Sequence, residues 1–104
     1  MASSEIDSGI CGFCTTVRTK QDGRVVRLEF ETECGYVESL AEHLTEVDPF
    51  TEIMYRGEGP KTLRLAREHL QHPACPVPSG IIKAIEVEAG LALPKEASIK
   101  PSKE

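Results

Sequence analysis

Four cysteines stand where this chain can do chemistry with them: Cys11 and Cys14 in "ICGFC", Cys34 in "ECGY" and Cys75 in "HPACPVPSG". Cys34 and Cys75 each sit just ahead of a predicted helix. Unpaired amides and the positive end of the helix dipole favour a thiolate at such a position. Thiolate is the form that binds a soft metal or attacks an electrophile. Cys11 and Cys14 make a C-x-x-C, a spacing shared by zinc knuckles, iron–sulfur clusters and thioredoxin-like redox sites. A thioredoxin-type motif opens a helix after a strand, whereas this one leads into a strand, which argues against disulfide oxidoreductase chemistry. For both thiols to reach one metal, residues 11–14 must turn, because residues three apart on a straight strand face opposite ways. Gly12 permits such a turn. The alternative is that one of the pair is a ligand and the other packs, as cysteine does when it serves as a small hydrophobe.

Among the histidines, His72 shares the proline-rich break with Cys75 and is the candidate ligand. His43 and His69 fall inside helical patterns and read as solvated or core-edge residues. The carboxylates form no close pair outside ordinary helix surfaces. No phosphate loop, nucleophile elbow or His-Glu zinc helix is present. The chain is therefore expected not to be an enzyme. The one catalytic alternative is a thiol enzyme using Cys75 as nucleophile, for which no base is placed.

The elements that must position these residues are legible from periodicity. At 104 residues the chain is one domain, with 39% hydrophobic residues, two Tyr, three Phe and no Trp, so its core is built from Val, Leu, Ile and Ala. "TTVRTK" alternates as a strand, "QDGR" turns at Gly23, and "VVRLEFET" puts Val26, Leu28 and Phe30 on one face: an antiparallel hairpin over 15–32. Val37, Leu40, Ala41 and Leu44 then make a helical stripe. Asp48 and Pro49 read as N-cap and first residue of a short second helix. "YRGEGP" is a loop. Leu63, Ala66 and Leu70 mark a third helix, ended by Pro73, Pro76 and Pro78. Ile81, Ile82, Ile85 and Ala89 stripe a fourth, closed by Gly90. "EASIK" suggests a brief final strand. The expected class is α+β, an N-terminal antiparallel hairpin or small sheet with about four helices on one face. The expected organisation is a disordered leader over 1–9, a single α+β metal-binding domain over 10–100 and a tail over 101–104.

A net charge of −5 argues against nucleic acid as partner. The one basic grouping, Lys61, Arg64 and Arg67, reads as a solvated helix face. No run of residues approaches a membrane span, so no membrane partner is expected. "MASSEIDSG" is polar and acidic, unlike a secretory signal, and the expected compartment is the cytoplasm, where thiols stay reduced.

These motifs resemble a known family. "CG" before a hairpin, "ECGY" before a helix and "ACPVPSGIIKAI" are similar to the iron–sulfur cluster assembly scaffolds of the IscU and NifU N-terminal type. Those carry a Cys-Gly-Asp, a Gly-Cys-Gly and a His-Cys-Ser followed by a helix with a similar Ile-Lys-Ala run. The gaps also look alike, 23 residues from Cys11 to Cys34 and 41 from Cys34 to Cys75. The pattern also looks like the TSCPD domain of ribonucleotide-reductase tails and of stand-alone proteins. It looks most like a small uncharacterised prokaryotic family with a Cys-Pro-x-Pro-Ser-Gly ending. The scaffold resemblance implies that Cys11, Cys34 and Cys75 hold an iron–sulfur cluster or Zn²⁺, with Cys14 or His72 as fourth ligand. It also implies other iron–sulfur assembly proteins as partners. Phe13 replaces the scaffold aspartate linked to cluster release, Ala74 replaces the histidine beside the third cysteine, and the chaperone-docking motif is missing. A fourth ligand from Cys14 would make a tighter, more permanent site. The leading reading is thus a non-catalytic metal-binding domain. The alternative is a protein-interaction or adaptor module whose cysteines are structural or reduced.

Overall fold

The alternating segments on either side of Gly23 pair as their pattern requires. In the computed structural model, which describes residues 1–103, strand β2 (Cys14–Asp22) runs antiparallel to β3 (Val25–Thr32). Thr15 lies opposite Thr32 and Asp22 opposite Val25, leaving the two-residue loop Gly23-Arg24. Gly23 has φ 63°, and glycine at the first position of such a loop matches the twist of the flanking strands. Val17, Thr19, Val26 and Leu28 are buried on one face. Arg18, Arg27 and Glu29, on the other, are exposed. Phe30 is half-buried at the margin of the same core.

Four helices follow the hairpin: α1 (Gly35–His43), α2 (Pro49–Glu52), α3 (Lys61–His69) and α4 (Val77–Glu88). Val37, Leu40 and Leu44 carry the α1 stripe into the core, and Val77, Ile81, Ala84 and Ile85 that of α4. Asp48 caps α2 as its sequence predicts, its side chain accepting from the Phe50 amide at 3.0 Å. Gly90 at φ 75° ends α4, its amide bonding back to the Val87 carbonyl. The class is α+β, with the helices on one face of a small antiparallel sheet.

Two strands complete that sheet in the order β1-β2-β3-β4, and neither was legible in the sequence. Residues 1–9 are not a disordered leader: Ala2–Asp7 forms β1, antiparallel to β2 from Ala2 opposite Thr19 to Asp7 opposite Cys14. Only Ile6 of this polar segment is buried, so no apolar alternation announces it. The strand exists because β2 offers an unpaired edge. Its start is also fixed from outside, by Glu88 at the end of α4. That carboxylate accepts from the amides of Ala2 at 2.6 Å and Gln21 at 2.9 Å, and from the Thr19 hydroxyl at 3.3 Å. Burial alone would push the Glu88 carboxyl up. The amide donors, the N-terminal ammonium and the hydroxyl outweigh it and hold the group below its ordinary range. The second addition, β4, is only Glu46–Val47, pairing with Arg27 and Val26.

At the other end of the chain "EASIK" forms no strand. Residues 93–103 carry no regular structure, and Ile99 is exposed. Of the expected tail 101–104, Pro101–Lys103 are irregular, and Glu104 lies outside the described residues. Regular structure thus runs from Ala2 to Glu88, and the expected boundary at residue 10 cuts through the sheet. Among the described residues no helix is long and apolar enough to cross a membrane.

Candidate functional site

The sheet register decides where the cysteines go. Asp7 opposite Cys14 and Thr15 opposite Thr32 place the end of β1, the start of β2 and the end of β3 side by side. The chain leaves β3 there and enters α1 at once, with Cys34 as the N-cap residue. The Cys34 amide donates to Thr32 Oγ1 at 3.2 Å, and that hydroxyl pairs with Thr15 Oγ1 at 2.9 Å. Helix α4 starts at the same end, since its Gly80 abuts Ile6, the residue opposite Thr15. Its last residue, Glu88, meets Ala2 and Gln21 at the far end. Helices α1 and α4 therefore run in the same sense, with Cys34 and Cys75 at their N-terminal ends.

Cys11 arrives by a tighter route. A 3₁₀ turn, Gly9–Cys11, links β1 to β2, with Gly9 at φ 76° and Gly12 at φ 78°. These are left-handed conformations that suit glycine. Asp7 Oδ1 accepts from the Gly9 amide at 2.9 Å, and Gly12 N–H closes the turn on the Gly9 carbonyl at 2.9 Å. The C-x-x-C segment thus does turn at Gly12.

All four thiols are free and occupy one end of the sheet, but in two environments. Cys11 and Cys14 are exposed, whereas Cys34 and Cys75 are half-buried and pack against the core beneath the helices. Strand alternation explains the division. Thr15 is buried toward the helices, so its neighbour Cys14 faces the open side of the sheet. Among the described residues no three His, Cys, Asp or Glu side chains are drawn together in an arrangement that holds a metal ion.

His72 is exposed and lies one turn before Cys75, whose amide approaches the His72 carbonyl at 3.4 Å. The two residues share a groove of about 370 Å³ between α3 and α4, lined also by Leu63, Arg67, Leu70 and Ser79. A thiol, an imidazole and a guanidinium thus line one groove. Beside Cys11, the side chains of Ile10 and Phe13 are also exposed.

Two further features escaped the sequence. His43 and His69, expected to be merely solvated or core-edge, stack on one another across α1 and α3. Glu52, indistinguishable in sequence from a surface glutamate, is 1% exposed and holds the start of α3.

No curated protein and no solved structure matches the chain. A family model, described as a family of unknown function (DUF6951), matches residues 2–101. The matched span takes in β1, all four cysteines and every helix. The chain belongs to this family of unknown function, DUF6951.

Proposed function

We propose that the cysteine end of the sheet takes up a thiophilic metal, as an iron–sulfur cluster or as Zn²⁺, and that the domain is a non-catalytic metal carrier or scaffold. One observation supports this above the others: four free cysteines, the outermost 64 positions apart in the chain, share one end of one sheet. A packing role does not account for the exposure of Cys11 and Cys14. Thiolates are the donors that zinc and iron–sulfur clusters prefer. Cys34 and Cys75, fixed at two helix N-termini, are the anchored ligands. Cys11 is carried on the glycine-bounded turn at the same end. Cys14 and His72 compete for the fourth position, and Cys14 must rotate around the strand start to reach it.

A second reading rests on Ile10 and Phe13, whose exposed side chains flank Cys11. An apolar tip of this kind suits contact with another protein, either a cluster-assembly partner or, without metal, a target of an adaptor module. Anaerobic purification followed by counts of iron, zinc and acid-labile sulfide per chain separates the two. Near-stoichiometric metal that falls away in Cys34→Ala and Cys75→Ala supports the carrier. Trace metal after anaerobic isolation, with none taken up on reconstitution, removes it and leaves the adaptor reading.

A further inference from the structure

Helices α1 and α3 end on histidines, His43 and His69, and the two rings lie with centroids 4.5 Å apart and planes 24° from parallel. Both rings are anchored on one residue. His43 Nδ1 meets the Ser39 carbonyl at 3.1 Å, and His69 Nδ1 meets Ser39 Oγ at 2.8 Å. A carbonyl only accepts, so the proton of neutral His43 is on Nδ1 and its lone pair is on Nε2. The serine hydroxyl can accept from His69 Nδ1 in the same way. Each imidazole is then held as metal-binding histidines are held, with one nitrogen donating to a fixed oxygen and the other free. The setting also suits a cation, because both residues close the carbonyl ends of their helices. His43 is exposed and His69 half-buried, so the pair is open to solvent on one side.

We propose that His43 and His69 form a two-imidazole site for a divalent transition-metal ion, clamping the C-terminal turn of α1 to that of α3. Water completes the coordination, and the rings must turn out of their stack, each about its Nδ1 hydrogen bond, for both Nε2 lone pairs to converge on the ion at the roughly 2.0–2.1 Å that a metal–imidazole bond requires. The site is separate from the cysteine end: His43 lies nine residues along α1 from Cys34, a helical rise of about 13 Å. It does not depend on the thiols binding anything.

The test uses Ni²⁺, a paramagnetic ion that imidazole ligands suit, added to the metal-free full-length chain and followed by amide NMR. Broadening is expected first at Ser39, His43 and His69, with an affinity that falls at least about tenfold in His43→Ala and in His69→Gln. Ser39→Ala, which removes the hydroxyl anchor, should weaken binding by about 10-fold or more, as loss of such supporting groups does elsewhere. At free Ni²⁺ about tenfold above the dissociation constant, the Tm should rise by roughly 6–11 °C. His43 is on the surface, so His43→Ala keeps the fold and serves as the decisive variant. Broadening that begins at Cys11, Cys14, Cys34 or Cys75 and spares the histidines overturns the proposal. So does binding that His43→Ala leaves unchanged. Because His43→Ala retains all four cysteines, loss of iron or zinc at the cysteine end and loss of this site are read independently.

Discussion

Replacing Glu52 with alanine should cost this domain about 3–5 kcal/mol, although no sequence pattern marks that glutamate as special. Helix α3 begins after Pro60, which has no side chain able to cap it, so its first amides must find acceptors elsewhere. Glu52 supplies both: Oε2 accepts from the Lys61 amide at 2.9 Å, and Oε1 from the Thr62 amide at 2.8 Å and the Thr62 hydroxyl at 2.6 Å. Thr51 Oγ1 also lies 3.2 Å from Oε2, though its single proton is shared with the Asp48 carbonyl at 2.9 Å. Among the described residues no lysine or arginine side chain pairs with this buried carboxylate. Its charge is met instead by these donors and by the positive end of the α3 dipole.

Glu52→Ala strands two amides and a hydroxyl, with Thr62 itself 0% exposed. Each stranded donor costs about 1–3 kcal/mol, reduced where water reaches the emptied space. Three donors with partial relief give about 3–5 kcal/mol, a large share of the roughly 5–15 kcal/mol that holds a domain folded. Glu52→Gln should lose less, about 1–3 kcal/mol, because its carbonyl still serves Thr62 while its NH₂ faces the Lys61 amide. Thr62→Val isolates the hydroxyl bond, worth about 1.5–3 kcal/mol to a charged acceptor. Urea unfolding at neutral pH measures all three. A Glu52→Ala loss under about 1 kcal/mol, with an unchanged denaturant slope, would refute the capping argument.

Two further outcomes follow from how α4 lies on the sheet. A methyl group at Gly80 would overlap Ile6 Cγ1 and Cδ1, so Gly80→Ala should destabilise by about 1–2 kcal/mol, overpacking outweighing the ~1 kcal/mol gain in helix propensity. In an Ile6→Ala background the same change should become neutral or stabilising, and a stabilising Gly80→Ala in the native background would dismiss the close approach. The lowered pKa of Glu88 fixes a sign. Its contribution is complete above the ordinary carboxylate range, at neutral pH, and is lost as pH falls through that range toward the lower folded value. Glu88→Gln should therefore flatten the acid limb of the stability–pH curve, and superimposable limbs for the two proteins would show that the carboxylate is not the group responsible.

What the sequence alone determined is whatever is encoded over a few residues. The β2–β3 hairpin follows from period-2 alternation about Gly23, the helices from their apolar stripes, and the start of α2 from Asp48 and Pro49. Each of these signals is read by the backbone within one or two turns of itself, so no distant residue is needed to interpret it. The four thiols were visible too, as was the freedom of Gly12 to make a turn between Cys11 and Cys14.

Only the tertiary structure decided β1, because a strand with one buried apolar residue is made by the edge it joins rather than by its own pattern. It alone decided that Glu52 is a cap, since the amides it serves begin nine residues later and a buried carboxylate is spelled like an exposed one. The same holds for the stacked histidines, which two separate helices bring together. The cysteines show the boundary most sharply. Their residue type and spacing are local facts, but a strand's register fixes which side chain faces which side of the sheet. With Thr15 turned inward, Cys14 is turned outward, while two helices seated on the inner face carry Cys34 and Cys75 there. Register and helix docking are set by the sum of contacts over the whole chain, which no short stretch of it contains.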